Sequence, residues 1–271
     1  MGDRPRAQRL RLDNLLVERG LIESRQRAQL LIRAGQVRMN GQVVDKPSQV
    51  CDQGVELHVQ REPPFVSRGG EKLQGALGTF EVRLLDRVCL DGGISTGGFT
   101  DCLLQRGARK IYGIDVGYGQ VAWKLRQDPR LVLKERTNLR YLKPADIYRP
   151  EDPWPDLAVV DISFISLRLV LPALREVLIS PRELLLLVKP QFEAGRDRVG
   201  KHGVVRDEAT HCEVIGHVWE CACALGWCFR GLTGSPLTGP AGNHEYWLWL
   251  ADTGGTLSTD CIKSAVSQTL S

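Results

Sequence analysis

The chain has 271 residues, 42% of them hydrophobic, enough for one large domain with a proper core plus a small one. No apolar run reaches the roughly 18 residues of a membrane span, the longest (184–188) being strand-sized, and the basic N-terminus lacks the apolar stretch of a secretory signal. Net charge is only +4, yet residues 1–50 hold ten Arg or Lys against five Asp or Glu. A small basic module on a near-neutral body points to a phosphate-rich partner. The eight cysteines show no framework of regular spacing, which suits reduced thiols in a cytosolic protein. Cys212, His217, Cys221, Cys223 and Cys228 follow no zinc-binding spacing, so buried helix cysteines are expected there and no metal.

Residues 9–60 open with helical spacing, Leu12, Leu15 and Leu16 forming one apolar stripe that Gly20 ends. Ser24 can N-cap a second helix, with Ala28, Leu31 and Ile32 inward and Arg25, Arg27 and Arg33 outward. Gly35 ends it. "QVRMNGQVV" then predicts two short strands around an Asn-Gly turn, and "GVELHV" one more. The pattern R-L-D-x-L-L, S-R-x-x-A, L-I-x-x-G-x-V-x-x-N-G resembles the RNA-binding domain of the ribosomal protein S4 type. The resemblance implies that Arg25, Arg27 and neighbouring basic residues, Arg11, Arg33 and Arg68 among them, contact structured RNA through phosphates. A protein-docking module of the same shape is the alternative.

"REPPFVSRGG" (61–70) carries two prolines and two glycines and reads as a stiff linker, and "EKLQGALGTF" as a helix with Leu73, Ala76, Leu77 and Phe80 inward. Strands at about 87–92, 110–115, 131–135, 157–161 and 184–189 then alternate with helices near 97–106, 120–127, 166–178 and 208–225. Such alternation gives a parallel sheet with helices on both faces. "WCFRGLTGSP" and "NHEYWLWLAD" follow with no helix between them, so the last strand is antiparallel. The expected fold class is α/β: the seven-stranded, doubly wound sheet of a class I S-adenosylmethionine-dependent methyltransferase, plus a small α+β N-terminal RNA-binding domain. The expected boundaries are 1–60 for the small domain, 61–67 for the linker, 68–253 for the methyltransferase domain and 254–271 for a C-terminal tail in which no chemistry is legible.

The turn "DGGISTGGF" after the first of these strands holds Asp91, Gly92, Gly93, Ser95, Thr96, Gly97, Gly98 and Phe99. Its glycines would let a ligand press on the backbone while a helix N-terminus aims its N–H groups at it. Asp115 ends the next strand, where an acid takes ribose hydroxyls. This could serve NAD or S-adenosylmethionine, and the terminal hairpin favours S-adenosylmethionine. Ligands bind beyond the carboxyl ends of parallel strands. Asp161 and Lys189 end two apolar strands, Glu245 begins the reversed one, and Lys72 lies on the helix before the first. A charged residue at a strand end is usually a solvated boundary, but four at one rim converge on a cleft.

Two lysines and two acids suit methylation of a ribose 2′-hydroxyl. A lysine made neutral by burial and a neighbouring cation can accept the hydroxyl proton. Lys189 is the expected base, with Lys72, Asp161 and Glu245 positioning it. "DISF" lacks the polar-Pro-Pro-aromatic loop of base-nitrogen transfer, and no nucleophilic Cys lies near Asp161 for base-carbon transfer.

From residue 9 to 252 the chain resembles the TlyA family, ribosomal RNA 2′-O-methyltransferases also known as hemolysin A, through "SRGGEKL", "STGGFTDCLLQRGA", "GIDVGYGQ", "VDISFISL", "LVKPQFE" and "NHEYWLWL". The resemblance places that family's Lys-Asp-Lys-Glu tetrad on Lys72, Asp161, Lys189 and Glu245 and its cofactor loop on 91–98, and implies methylation of cytidine ribose in ribosomal RNA. Where that family reads D-V-G-A-S-T, this chain reads "DGGIST", a change in cofactor packing. "ERTNLR", with Asn138 and Arg140, is similar too and is assigned to cofactor or RNA contact. Against a pore-forming hemolysin stand the missing span, signal and long amphipathic helix. Against a non-catalytic ribosome-assembly factor stands the intact tetrad, and against a pseudouridine synthase with the same N-terminal module stands the cofactor loop. The basic loop 193–207 is expected to contact RNA or close over the site, with a flexible surface loop as the alternative.

Overall fold

The computed structural model describes residues 9–60 and 63–271; the N-terminal basic stretch 1–8 and linker residues Arg61 and Glu62 lie outside the described residues. The chain divides between Pro63 and Pro64 into two compact units.

The first unit runs β1 (Arg9–Arg11), α1 (Leu12–Glu18), α2 (Arg25–Arg33), β2 (Val37–Met39), β3 (Gln42–Val43), β4 (Val50–Asp52) and β5 (Leu57–Val59). Leu12, Leu15, Leu16, Ala28, Leu31 and Ile32 share a core with Val37 and Val44. Each of these leucine, isoleucine and valine side chains, fully buried, contributes about 1.5–3 kcal/mol. Gly20 and Gly35 sit at φ +66° and +70°, the left-handed turn that stops a helix, and the Ser24 hydroxyl accepts from the Arg27 N–H at 3.3 Å. β2 is the centre of a β3-β2-β5 sheet, while β1 pairs antiparallel with β4. That second ladder is absent from the sequence reading, because three-residue strands carry no alternation to detect.

The second unit continues with α3 (Arg68–Thr79), β6 (Val88–Gly92), α4 (Gly98–Gln105), β7 (Lys110–Ile114), α5 (Trp123–Arg126), β8 (Leu131–Lys134), α6 (Pro144–Ile147), β9 (Leu157–Val160), α7 (Leu171–Val177), β10 (Glu183–Val188), α8 (Pro190–Glu193), α9 (Glu208–Ala224), β11 (Cys228–Gly234), β12 (Tyr246–Ala251) and α10 (Thr259–Leu270). The sheet order is β11-β12-β10-β9-β6-β7-β8, with β12 antiparallel to both neighbours. Alternate strand residues feed two cores: Leu90, Tyr112, Val160 and Leu186 on one face, Cys89, Ile111, Val159 and Leu187 on the other. Helices cover both, as near-continuous apolar strands require. α3 begins at Arg68, so the last three residues of the stretch 61–70 are helical, and Phe65 is buried. Residues 254–271 include α10, which buries Ile262, Ala265 and Val266 and packs against α9 and β11.

Register decides where the site lies. Gly92 pairs with Ile114 and Val160, and Val188 with Tyr246. The next residues out, Gly93, Asp115, Asp161, Lys189 and Glu245, therefore line one sheet edge. No helix among the described residues is long and apolar enough to cross a membrane.

Candidate active site

Two adjoining cavities open at that edge. One, of about 470 Å³, is lined by Gly93, Ser95, Asp115, Thr137, Asn138 and Phe164 among others. That volume falls within the range of small-molecule sites, roughly 300–1,000 Å³. The other, of about 160 Å³, is lined by Arg68, Lys72, Ser95, Thr96, Gly98 and Phe99 among others. Gly93, Ser95 and Asp161 belong to both, so the cavities form one cleft.

Gly93 and Gly97 have φ of +87° and +97°, where a side chain is strained. A Cβ on Gly93 would lie 2.2 Å from the Asp161 carbonyl oxygen, and one on Gly98 2.3 Å from Ser67 Oγ. The loop's glycines thus let the β6–α4 turn meet the loop after β9 and the start of α3. Asp115 accepts hydrogen bonds from the Ser95 and Gly117 N–H groups, each 2.7 Å, which fixes its carboxylate at the cavity wall. Asp91, Gly92 and Gly97 line neither cavity. Asp91 is wholly buried, accepts from Thr100 Oγ1 at 2.7 Å, and leaves Oδ1 without a partner. Burial pushes its carboxyl up to about 7.

The four charged residues resolve into two ion pairs. Lys72 Nζ donates to Glu245 Oε2 at 2.6 Å, with the side chains 9% and 1% exposed. Lys189 Nζ contacts Asp161 Oδ1 and donates to Ser163 Oγ at 3.1 Å. Lys72 and Asp161 line the same cavity, so both pairs serve one cleft. Arg68, exposed at the start of α3, donates to the Thr238 carbonyl at 3.0 Å and lines it as well.

Two residues here were not singled out from the sequence. Glu193, 9% exposed, accepts from Ser166 Oγ at 2.5 Å and the Leu167 N–H at 2.6 Å. It ties the loop carrying Asp161 to the segment carrying Lys189; its place four residues after Lys189 was the available signal. Phe164, 88% exposed at φ +70°, lines the larger cavity. A bulky residue in that conformation is an outlier. The loop 193–207 is anchored in its second half: Asn243 Nδ2 donates to the Gly203 carbonyl at 2.8 Å, and the Val205 N–H donates to Asn243 Oδ1 at 3.0 Å. Arg198 pairs with Glu213 of α9. Cys212 and Cys221 pack against the core and Cys223 is exposed.

In the first unit, Arg11 and Arg25 both contact the buried Asp13, at 3.0 and 3.1 Å. The Arg11 hydrogen bond, with those of Gln29 and Arg25, holds the Asp13 carboxyl well below the usual range. These two guanidiniums are thereby oriented by a buried anion, while Arg27 and Arg33 are exposed along α2.

The FtsJ-like methyltransferase profile matches residues 65–252, and the S4 domain profile residues 10–57. The chain belongs to the FtsJ-like methyltransferases, in the TlyA (hemolysin A) group. A Mycobacterium tuberculosis relative named 16S/23S rRNA (cytidine-2'-O)-methyltransferase TlyA is 47% identical over 268 residues, 98% of each chain. Hemolysin A of Brachyspira hyodysenteriae is 38% identical over 88% of this chain and 98% of its own. A solved structure from Streptococcus thermophilus, described as a candidate hemolysin, superposes with a TM-score of 0.73 at 40% identity, covering 97% of this chain and 96% of that one. As an FtsJ-like methyltransferase, the chain owns the sheet, its reversed last strand and the cleft at its edge.

Proposed function

We propose that this chain transfers a methyl group from S-adenosylmethionine to a ribose 2′-hydroxyl, on cytidine, in ribosomal RNA. The observation that carries this reading is the pair of ion pairs, Lys72–Glu245 and Lys189–Asp161, at one cleft beside a glycine-walled cavity. The larger cavity of the cleft, about 470 Å³, suits the cofactor: Asp115 can accept from ribose hydroxyls, and Asn138 supplies a further polar contact. When bound, S-adenosylmethionine supplies an electrophilic methyl group on a sulfonium. Lys189 and Asp161 together would take up the 2′-hydroxyl proton as that oxygen receives the methyl group. Asp161 and Ser163 fix Nζ of Lys189. Lys72, held by Glu245, orients the hydroxyl. The exposed face of Phe164 is a platform on which a splayed-out base can stack. Support for an RNA acceptor comes from the S4 domain and from the names of the TlyA relatives. A ribosomal substrate also places the enzyme in the cytoplasm.

The test is transfer of labelled methyl from S-adenosylmethionine to separated, unmodified ribosomal subunits, wild type beside Lys189→Ala. Label on ribose, lost in the variant while cofactor binding persists, is expected. No label on either subunit, with cofactor still bound, would turn the reading to an assembly factor that uses the fold as scaffold.

A further inference from the structure

Of the five histidines, His211 alone is buried among the described residues, and it takes no part in the transfer step described above. It lies in the first turn of α9, whose N-cap Asp207 accepts from the Thr210 N–H at 2.8 Å. Its Nε2 is 3.1 Å from the Val205 carbonyl oxygen and its Nδ1 2.7 Å from the Tyr246 hydroxyl. A carbonyl only accepts, so Nε2 carries the proton and donates; Nδ1 is then a bare lone pair that accepts from the Tyr246 O–H. Burial lowers the pKa of the ring, which keeps this neutral form at neutral pH. Val205 and Tyr246 are both buried, and both lead to the site. Tyr246 follows Glu245 in the chain and sits opposite Val188 in the sheet, one residue before Lys189. The Val205 N–H donates to Asn243 Oδ1 at 3.0 Å, and Asn243 stands two residues before Glu245.

We propose that His211 is a positioning residue for methyl transfer: by joining Val205 to Tyr246 it sets the height and rotation of the strand end that carries Glu245, and through Glu245 the place of Lys72 Nζ. The inference rests on the 2′-O-methyltransferase reading above. Replacing a buried hydrogen-bonded pair by apolar groups of the same shape is nearly neutral for stability. What the imidazole adds is direction, since one ring fixes a carbonyl and a hydroxyl at once in a fully satisfied buried network. Glu245 has little room for error: it is 1% exposed, meets Lys72 at 2.6 Å, and its carbonyl accepts from the Ser235 N–H at 2.8 Å. A misplacement of about 1 Å in a reacting geometry costs on the order of 100-fold in rate. The loop 193–207 is thereby clamped at both ends, by Glu193 beside the Asp161 loop and by His211 beside Glu245.

The test is single-turnover methyl transfer from labelled S-adenosylmethionine to separated, unmodified ribosomal subunits, with cofactor and subunits saturating. Full-length wild type is compared with Tyr246→Phe, His211→Gln and the double variant, and cofactor and subunit affinities are titrated alongside. Phe keeps the packing and loses only the O–H; Gln retains a donor for the Val205 carbonyl and withdraws the ring nitrogen from Tyr246. Each single variant should transfer about 10- to 100-fold more slowly, with both affinities within about twofold of wild type. Because the two residues act as one link, the double variant should be no slower than the slower single. NMR of wild type labelled with nitrogen-15 histidine should show one histidine held as the neutral Nε2–H tautomer. The opposite tautomer, folded variants that transfer at the wild-type rate, single losses that multiply in the double, or affinities that fall with the rate overturn the positioning role. Wild type that binds the cofactor yet labels neither subunit overturns the transferase reading itself, and the role of His211 with it.

Discussion

Lys72 and Glu245 lie 173 residues apart in sequence, yet are joined by a 2.6 Å contact that excludes water almost completely. Substituting Lys72→Met removes one partner and leaves a carboxylate 1% exposed with no cation. Breaking a buried pair in this way costs about 3–5 kcal/mol, whereas exchanging both partners for apolar residues of similar volume is close to neutral or stabilising. The double variant Lys72→Met/Glu245→Leu should therefore recover most of what the single variant loses. For a domain of this size the single loss corresponds to a melting shift of about 6–20 °C. All six tryptophans lie between residues 123 and 249, so tryptophan fluorescence during guanidinium denaturation follows the methyltransferase domain alone. Both variants are expected to lose methyl transfer, which separates the fold, restored in the double variant, from the chemistry, absent in each. A single-variant cost below about 1 kcal/mol, with no recovery in the double, is what a solvent-screened pair gives and would refute the reasoning.

Gly93→Ala places a Cβ 2.2 Å from the Asp161 carbonyl oxygen at φ +87° and should cost about 2 kcal/mol or more and displace Asp161, whereas Gly119→Ala, at φ +76° with nothing within 4 Å, should cost only about 1–2 kcal/mol in denaturant titrations. Asp91 is buried with its carboxyl raised to about 7, so its favourable contribution is full below the ordinary carboxyl range and is lost as pH rises towards 7. Asp91→Asn should match wild type in melting temperature near pH 4 and exceed it at pH 8; a difference that does not change with pH would contradict this. Glu193→Gln turns an amide donor towards one of two existing donors, Ser166 Oγ or the Leu167 N–H, and should cost about 2 kcal/mol while slowing transfer more than it weakens cofactor binding, as separate kinetic and calorimetric titrations would report.

The inner strands of the large domain, β6, β7, β9, β10 and β12, were legible because they are buried on both faces and read as apolar runs, such as Leu184 to Val188. The small domain was legible through its turns: Asn40 and Gly41 both sit at positive φ, as a two-residue hairpin of this type requires. What was not legible depends on which loops meet. Lys72, Asp161, Lys189 and Glu245 were found as charges at strand ends and on a helix, yet nothing local says that Lys72 pairs with Glu245 and Lys189 with Asp161. The same limit hid Glu193, whose partners lie 26 and 27 residues away in a loop of no regular pattern. α10 shows the opposite case: Ile262, Ala265 and Val266 have helical spacing that was present in the sequence, but eighteen residues without chemistry read as a tail.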